Sequence, residues 1–297
     1  RDGITGGSSP NSFAGIAITA NNATPSQGTW QYSTGSGIWV ALPSVSATNA
    51  LLLNPTDLVR FVPAADFHGT PGGLDARLVD SSGVAFTSGD SANVSGVNSG
   101  GITRYSDSAN AVSLNTTVAP INDAPTIPNR TIPSVAEDIL TGANNGQTIS
   151  AIYSGQYSDN TDDKSGITGG GNTATPIAGL AILGNTANPA TEGKWQYNTG
   201  SGWQDMPTGT GLGASGGALI LPATASIRFQ PVAEYHGTPP ALDVSAIDGS
   251  AGAVVLATGQ TIATTGGITR YSIPVKLGGS VTPVSDIVPD SGITPED

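Results

Sequence analysis

Acidic and amide side chains occur in three short groups near the middle of the chain, and their oxygen atoms are the strongest candidates for chemistry. The groups are Asn122-Asp123, Glu137-Asp138 and the trio Asp159, Asp162 and Asp163. Strand-like segments separate them, and a chain that crosses a β-structure returns to the same end at every second crossing. The groups can therefore meet at one end, where six or more oxygens would satisfy the coordination of Ca2+. The alternative is that these are solvated loop acids on an acidic surface.

The overall charge also favours a cation as partner. The formal net charge is −12, and no basic run interrupts the acidic average, so nucleic acid is excluded as a partner. Carboxylates packed together without a cation repel one another, so a Ca2+ site would make the rigidity of its domain depend on the metal. The chain has no cysteine and hence no disulfide, and Ca2+ is the obvious substitute brace for an extracellular domain.

Histidine-based catalysis has little support in the sequence. The only two histidines, His68 and His236, occupy equivalent turns, and the nearest acids are Asp66 and Glu234, two residues earlier. A catalytic histidine needs a nucleophile or a metal partner, so both are interpreted as structural turn residues. Paired glycosidase carboxylates are disfavoured too, because the acids show no second motif. We expect a protein that is not an enzyme.

The histidine turns belong to a long internal repeat. The segment from Val59 to Pro71 recurs from Ile227 to Pro239, and each copy combines an alternating strand, a stopping proline, an aromatic residue and a Gly-Thr-Pro turn. A second repeated segment is a hairpin with aromatics at alternate positions. Its four aromatic residues are Trp30, Tyr32, Trp195 and Tyr197. They form either a core layer, which the shared register favours, or a platform on which sugar rings stack.

Composition and length predict an all-β protein with two tandem antiparallel β-sandwich domains. The 297 residues include 41 glycines and 21 prolines, with only 11% charged residues, which is a poor mixture for long helices. No apolar run approaches the roughly 20 residues that span a bilayer, so we expect no membrane insertion by this segment.

The repeats set the expected domain boundaries. The first domain is predicted at residues 1–120, the second at 121–283, and the start of a further joint or a donor tail at 284–297. Only the second copy has opening strands between its joint and Gly166, so the first is expected to be incomplete. An incomplete sandwich exposes a sheet edge that invites completion by another segment.

The repeated words resemble a known family. The Arg-Phe-x-Pro stretch with its His-Gly-Thr-Pro turn, the joint Asn122-Asp123-Ala124-Pro125 and the opening Val135-Ala136-Glu137-Asp138 are similar to the cadherin-like, immunoglobulin-like repeats of giant bacterial repeats-in-toxin adhesins. That resemblance implies Ca2+ binding at the joints between domains. The residues it implies as ligands are Asn122, Asp123, Glu137, Asp159 and Asp162, with Asp163 as a neighbouring possibility. The spacing between copies, about 165 residues, exceeds the roughly 100 of a plain domain of this type, and each copy therefore carries extra hairpins.

The resemblance implies a structural extender of an extracellular bacterial adhesin or surface fibre on the cell surface. Its partners would be neighbouring repeats of the same protein, and Ca2+ would fix the angle between them. One alternative is a filament subunit completed by a strand from another copy, with the tail from about Val281 as donor. Another is a carbohydrate-binding module that uses the tryptophan hairpins.

Overall fold

A computed structural model of the chain describes residues 11–209, 212 and 217–285. Within these residues the chain is mostly β-strand with several antiparallel sheets, which confirms the all-β prediction. Two compact units are present. Unit 1 comprises the residues up to Ile121 together with Asp162–Thr173, and unit 2 comprises Asn122–Thr161 and the residues from Ala174 onward. In the described part of the chain, no helix is long and apolar enough to cross a membrane.

Unit 1 contains eight strands among its described residues. They are β1 (Phe13–Asn21), β2 (Gly28–Ser33), β3 (Val40–Ala41), β4 (Ala50–Leu53), β5 (Leu58–Pro63), β6 (Leu74–Asp80), β7 (Ser91–Ala92) and β8 (Val112–Leu114). Five of them form a sheet in the order β7-β4-β1-β6-β8, and the other three form a sheet in the order β3-β2-β5. All the pairings in both sheets are antiparallel.

Unit 2 contains twelve strands and one helical turn among its described residues. They are β9 (Arg130–Thr131), β10 (Val135–Ala136), β11 (Gln147–Thr148), α1 (Ile149–Ile152), β12 (Gly179–Gly184), β13 (Gly193–Asn198), β14 (Gln204–Asp205), β15 (Ala218–Pro222), β16 (Ser226–Pro231), β17 (Leu242–Ile247), β18 (Ala257–Gln260), β19 (Val275–Gly278) and β20 (Val281–Thr282). The sheets have the orders β18-β15-β12-β17-β19-β9, β11-β16-β13-β14 and β10-β20.

The sheets of unit 2 contain the unit 1 pattern plus additional elements. The order β18-β15-β12-β17-β19 corresponds to β7-β4-β1-β6-β8, and β16-β13-β14 corresponds to β5-β2-β3. The additional elements β9, β10, β11 and α1 all come from residues 126–153, which we call the opening segment. Both β9 and β10 pair in parallel, with β19 and β20 respectively. Unit 1 has no counterpart of the opening segment among its described residues.

Aromatic residues from the repeated words form the same contact in both cores. The rings of Trp30 and Phe61 lie 5.3 Å apart in unit 1, and those of Trp195 and Phe229 lie 5.4 Å apart in unit 2, both edge to face. Such pairs stabilise a core beyond the effect of area burial alone. The two units differ in coverage, because Phe229 is fully buried and Phe61 is only half-buried.

A loop of the second repeat packs with the first unit. Gly171 N–H donates to His68 O at 2.9 Å, and the Gln27 side chain donates to Thr168 O at 2.6 Å. The division after Ile121 lies one residue from the predicted boundary, but the Asp162–Thr173 segment was assigned to the second domain by sequence order alone. Of the predicted tail 284–297, residues 286–297 lie outside the described residues.

The difference in coverage predicts unequal effects of one substitution made in both units. Phe229→Ala should lower the free energy of unfolding of unit 2 by about 3–5 kcal/mol, the usual cost of deleting a buried phenylalanine ring. Phe61→Ala should cost unit 1 about 2 kcal/mol or less, because part of that ring is already in water. Hydrogen exchange of the β12–β17 amides and of the β1–β6 amides measures the two units separately. Equal losses would contradict the assigned difference in burial.

Candidate functional site

The acids Asp159 and Asp248 belong to one hydrogen-bonded network in unit 2. Asp159 Oδ2 accepts from Thr175 N at 2.7 Å and from Thr175 Oγ1 at 3.3 Å, and Thr175 Oγ1 in turn accepts from Gly249 N at 2.7 Å. Asn122 Nδ2 donates to Asp248 Oδ2 and to Thr269 O, both at 3.1 Å. The joint residue Asn122 is therefore tied to the end of β17, where Asp248 follows Ile247.

Short backbone contacts bring these segments to one end of unit 2. Thr126 and Ser158 form an antiparallel bridge, which places the joint beside the loop that carries Asp159. Ala124 N–H donates to Gly267 O at 2.7 Å, so the joint also contacts the loop before β19. The joint, the Asp159 loop and the end of β17 therefore converge at this end of unit 2.

One carboxylate oxygen in this network has no hydrogen-bond partner. Asp159 is 6% exposed, and its Oδ1 is buried without a partner, whereas Asp248 is fully buried and accepts from Ser250 N at 2.8 Å. Burial raises the pKa of Asp159, and the nearby charges of Asp248 and Asp123 raise it further, against the lowering effect of the Thr175 hydrogen bonds. An ionised Asp159 is therefore costly unless a cation compensates its charge.

Glu137 lies at the opposite end of unit 2, which corrects the expectation that it joins the other acids. Its backbone N–H donates to Thr282 O at 2.9 Å, beyond the end of β19, while Asn122 contacts Thr269, before the start of β19. Because β9 and β10 run parallel to β19 and β20, the chain from Asn122 to Glu137 travels the length of the unit without turning back.

Glu137 holds the segment that leaves unit 2. It is buried, with Oε1 accepting from Val284 N at 2.5 Å and Oε2 lying 3.0 Å from His236 Nδ1. The Val284 N–H and the His236 ring together lower the pKa of Glu137. His236 is therefore a turn residue with a hydrogen-bond partner. Its counterpart His68 is buried, and the His68 carbonyl accepts a hydrogen bond from Gly171 N.

The structure places Asp162 and Asp163 in the segment that packs with unit 1. Asp163 Oδ1 accepts from Ser165 N at 2.9 Å and from Ser165 Oγ at 2.6 Å, and these bonds lower the pKa of Asp163. Asp162 is buried, and its backbone carbonyl accepts from Thr173 N at 2.9 Å. Their contacts within unit 1 therefore stabilise the turn of this loop.

The oxygen atoms near Asp159 are of the kind that Ca2+ binds, although their side chains do not form a complete coordination site. Within the described ranges, no three histidine or acidic side chains are arranged to hold a metal ion. The available donors are all oxygens, which Ca2+ prefers, and the buried Asp159 Oδ1 is the one that lacks another partner. Of the six residues predicted from the sequence, the structure brings together Asn122, Asp123 and Asp159.

Asp248 is the residue that the sequence-based site prediction omitted. It ends an alternating strand in the second copy, as Asp80 does in the first. That repeated position was the available signal, but a repeated residue is as readily explained by a turn as by a site. The contact with Asn122, which is remote in sequence, connects Asp248 to the joint.

The aromatic hairpin residues fill the core. Trp30 and Trp195 are 4% and 0% exposed, and their Nε1 atoms donate to Gly72 O at 2.9 Å and to Pro240 O at 2.8 Å. Tyr197 is buried, and Tyr32 packs partly buried against the unit 1 core. The indole rings leave no exposed face on which a sugar could stack, which weighs against the carbohydrate alternative.

The lowered pKa of Glu137 predicts how unit 2 responds to acid. A carboxylate whose folded pKa lies below its ordinary value of 4.5 stabilises the fold above that pH, and this contribution is lost as the pH falls through the folded pKa. Glu137→Gln should therefore flatten the acid limb of the unfolding free energy of unit 2. Denaturant titrations between about pH 2 and pH 6 test this, with Glu192→Gln as a control for removing one acidic charge. An unchanged acid limb would show that the Glu137 contacts do not stabilise unit 2.

Comparison with protein-family models, with curated proteins and with solved structures gave no match for this chain. The sites above therefore stand on the residues and geometry of the chain itself.

Proposed function

We propose that this chain is a structural extender of an extracellular bacterial adhesin or surface fibre, in which Ca2+ bound at the joint restricts motion between neighbouring repeats. The observation that carries the proposal is the buried Asp159 carboxylate, whose Oδ1 has no partner and whose neighbours Asp248 and Asp123 are also acidic. A protein gains little from such a cluster unless a cation binds there.

The proposed ligands are Asn122, Asp123, Asp159 and Asp248. Two of them precede the strands of unit 2 and two come from its loops, so one ion would fasten the joint residues to the body of the unit. Ca2+ accepts a varied set of six to eight oxygen ligands, which suits a site assembled from separate segments. Glu137 would act separately by fixing the backbone at Val284 at the other end.

The finer architecture belongs to the same proposal. We infer that each unit is an immunoglobulin-like or cadherin-like β-sandwich, unit 2 complete and unit 1 without its opening strands. A five-strand order and a three-strand order that both units share, together with a shared edge-to-face aromatic pair, support this inference. The extracellular location at the bacterial surface and the partnership with neighbouring repeats rest on the resemblance of the repeated sequence words.

A non-enzymatic role is also part of the proposal. Each acid with a lowered pKa has a structural contact that accounts for it, such as the bonds of Asp205 to Gln196 and Lys194. The raised pKa of Asp159 follows from burial next to other acids and is consistent with a cation site. A role as a structural spacer is consistent with a chain built from two copies of the same repeat.

Removal of the Asp159 charge should uncouple stability from Ca2+. In chelator, Asp159→Asn should be at least as stable as the parent, because it removes a buried charge and keeps an acceptor for Thr175. With Ca2+ at 100 times its dissociation constant, the parent should gain about 2.7 kcal/mol in the unfolding free energy of unit 2, and the variant should gain much less.

Asp80→Asn is the matched control for this experiment. Asp80 occupies the repeat position of Asp248, but it lies in unit 1, which has no opening segment among its described residues. The control variant should respond to Ca2+ like the parent. If Asp159→Asn keeps the full response to Ca2+, the proposed site is wrong.

The mechanical part of the proposal requires a separate measurement. Small-angle scattering of the parent chain should report a narrower range of arrangements in Ca2+ than in chelator, and Asp159→Asn should scatter alike in both. A parent profile that is indifferent to Ca2+ would remove the stiffening role, even if the metal binds.

A further inference from the structure

Unit 1 contains an apolar cleft between its two sheets. Its volume is about 290 Å3, and its lining includes Ile16 of β1, Leu53 of β4, Val59 of β5 and Leu114 of β8. Ile16, Val59 and Leu114 are only partly buried although they pack against the unit 1 core. The cleft therefore exposes side chains that are suited to a protein interior.

The repeat shows what covers the equivalent residues in unit 2. The counterparts of the four lining residues are fully buried, and they share one cluster with Ile149, Ile152 and Tyr153 of the opening segment. These counterparts are Leu180, Leu221, Ile227 and Leu277. Among the described residues, the open copy therefore has no segment over the hydrophobic surface that the other copy buries.

Backbone contacts place the occupant of unit 2 in the same position. Ile149 N–H donates to Ala225 O at 2.9 Å, and Ser150 N–H donates to Ala223 O at 3.0 Å. The repeat counterparts of these acceptors are Asp57 and Pro55, and both line the unit 1 cleft. The two residues that correspond to the acceptors holding α1 in unit 2 therefore lie at the cleft of unit 1.

The adjacent sheet edge is also open in unit 1. In unit 2, β11 pairs with β16 through Gln147 opposite Ile227 and Thr148 opposite Ser226. The corresponding strand β5 pairs only with β2 among the described residues, and Leu58 on it is 57% exposed. An unpaired strand edge beside an apolar cleft suits an added strand.

The arginine at the same repeat position is buried by the opening segment in unit 2 and exposed in unit 1. Arg228 and Arg60 both stack on a tryptophan, at 4.0 Å and 4.1 Å from the ring centres of Trp203 and Trp39. Arg228 is fully buried because its Nη1 donates to the carbonyls of Thr141 (2.8 Å) and Asn144 (2.5 Å) in the opening segment. Arg60 is exposed and keeps only the contact with Gln31, at 2.7 and 2.9 Å, that Arg228 also makes with the equivalent Gln196 at 2.8 Å, among the hydrogen bonds of the described residues.

We propose that the unit 1 cleft and the β5 edge form a docking site for a polypeptide segment with the sequence pattern of Thr141–Tyr153 that is not already packed in a repeat of its own. The segment adds a short strand to β5, places one helical turn over the cleft, and inserts two aliphatic side chains three residues apart. Its backbone carbonyls before the strand receive Arg60, as those of Thr141 and Asn144 receive Arg228.

A second copy of this chain is the less suitable donor. The side chains of Ile149, Ile152 and Tyr153 in its own segment of this type are fully buried in unit 2, so donating that segment would open the unit 2 core. The sequence from Val284 to Asp297 contains no match to the pattern Gln-Thr-Ile-x-x-Ile. The inference does not require Ca2+, so it can fail or succeed independently of the proposed function.

A synthetic peptide with the sequence of residues 141–156 tests the docking site on the full chain. We expect saturable binding, with slower amide exchange along β5 and no change along β16. A control peptide with Ile149→Ser and Ile152→Ser should bind at least 10-fold more weakly, because both side chains that fill the cleft are then polar. Binding measurements should extend to about 1 mM peptide, since a short segment must be ordered on docking.

Two substitutions in the full chain complete the test. Val59→Lys should weaken binding at least 10-fold by placing a charge in the cleft, and exchange of the β1 and β6 amides shows whether unit 1 remains folded. Arg60→Ala leaves the cleft intact and should weaken binding about 3-fold.

The proposal is overturned by no binding at 1 mM, by equal binding of the control peptide, or by protection in unit 2. Self-association of the peptide-free chain with protected β5 amides would identify a second copy as the occupant and would also overturn it.

Discussion

The need to cover both faces and both edges of a β-structure explains most of what distinguishes the two units. In unit 2, the opening segment adds β9 to one sheet, β11 to the other, and the α1 turn between them. Ile149, Ile152 and Tyr153 then exclude water from side chains that the same repeat leaves partly exposed in unit 1. Burial of this kind is the main favourable contribution to folding, so residues 126–153 matter more to unit 2 than their small share of strand suggests.

The same segment controls the environment of repeated residues that are identical in sequence. His236 bonds to Glu137 of the opening segment and keeps a 60% exposed side chain, whereas His68 is buried beside Gly171. The backbone of this turn is nevertheless the same in both copies, because Asp66 and Glu234 both adopt a left-handed conformation, at φ 57° and 62°. The local sequence therefore determines the turn, and the presence of the opening segment determines the surroundings of the turn.

The all-β class was predictable because it depends on composition and on short repeated sequence motifs. The end of the unit at which an acid lies was not, because it depends on strand direction. The sequence argument assumed that the chain reverses between successive strands, but β9 and β10 continue in one direction beside β19 and β20. Glu137 consequently lies far from Asn122. Asp248 was omitted for a related reason, since its link to Asn122 spans 126 positions and has no local signature.

Core completion and the acidic groups are physically connected through the chain path of unit 2. The joint leads into the opening segment, which fixes Glu137 near Val284 at one end of the unit. The chain then returns through α1 to Tyr157 and Ser158, and the bridge between Ser158 and Thr126 sets Asp159 beside the joint at the other end. A repeat with this segment therefore has a closed core and an acid placed at each end. Unit 1 retains Asp80 at the position of Asp248, but no residue of its described chain corresponds to Asp159. Unit 1 therefore has one acid of the proposed cation site without the other, so the two repeats need not both bind a cation although they share the same fold pattern.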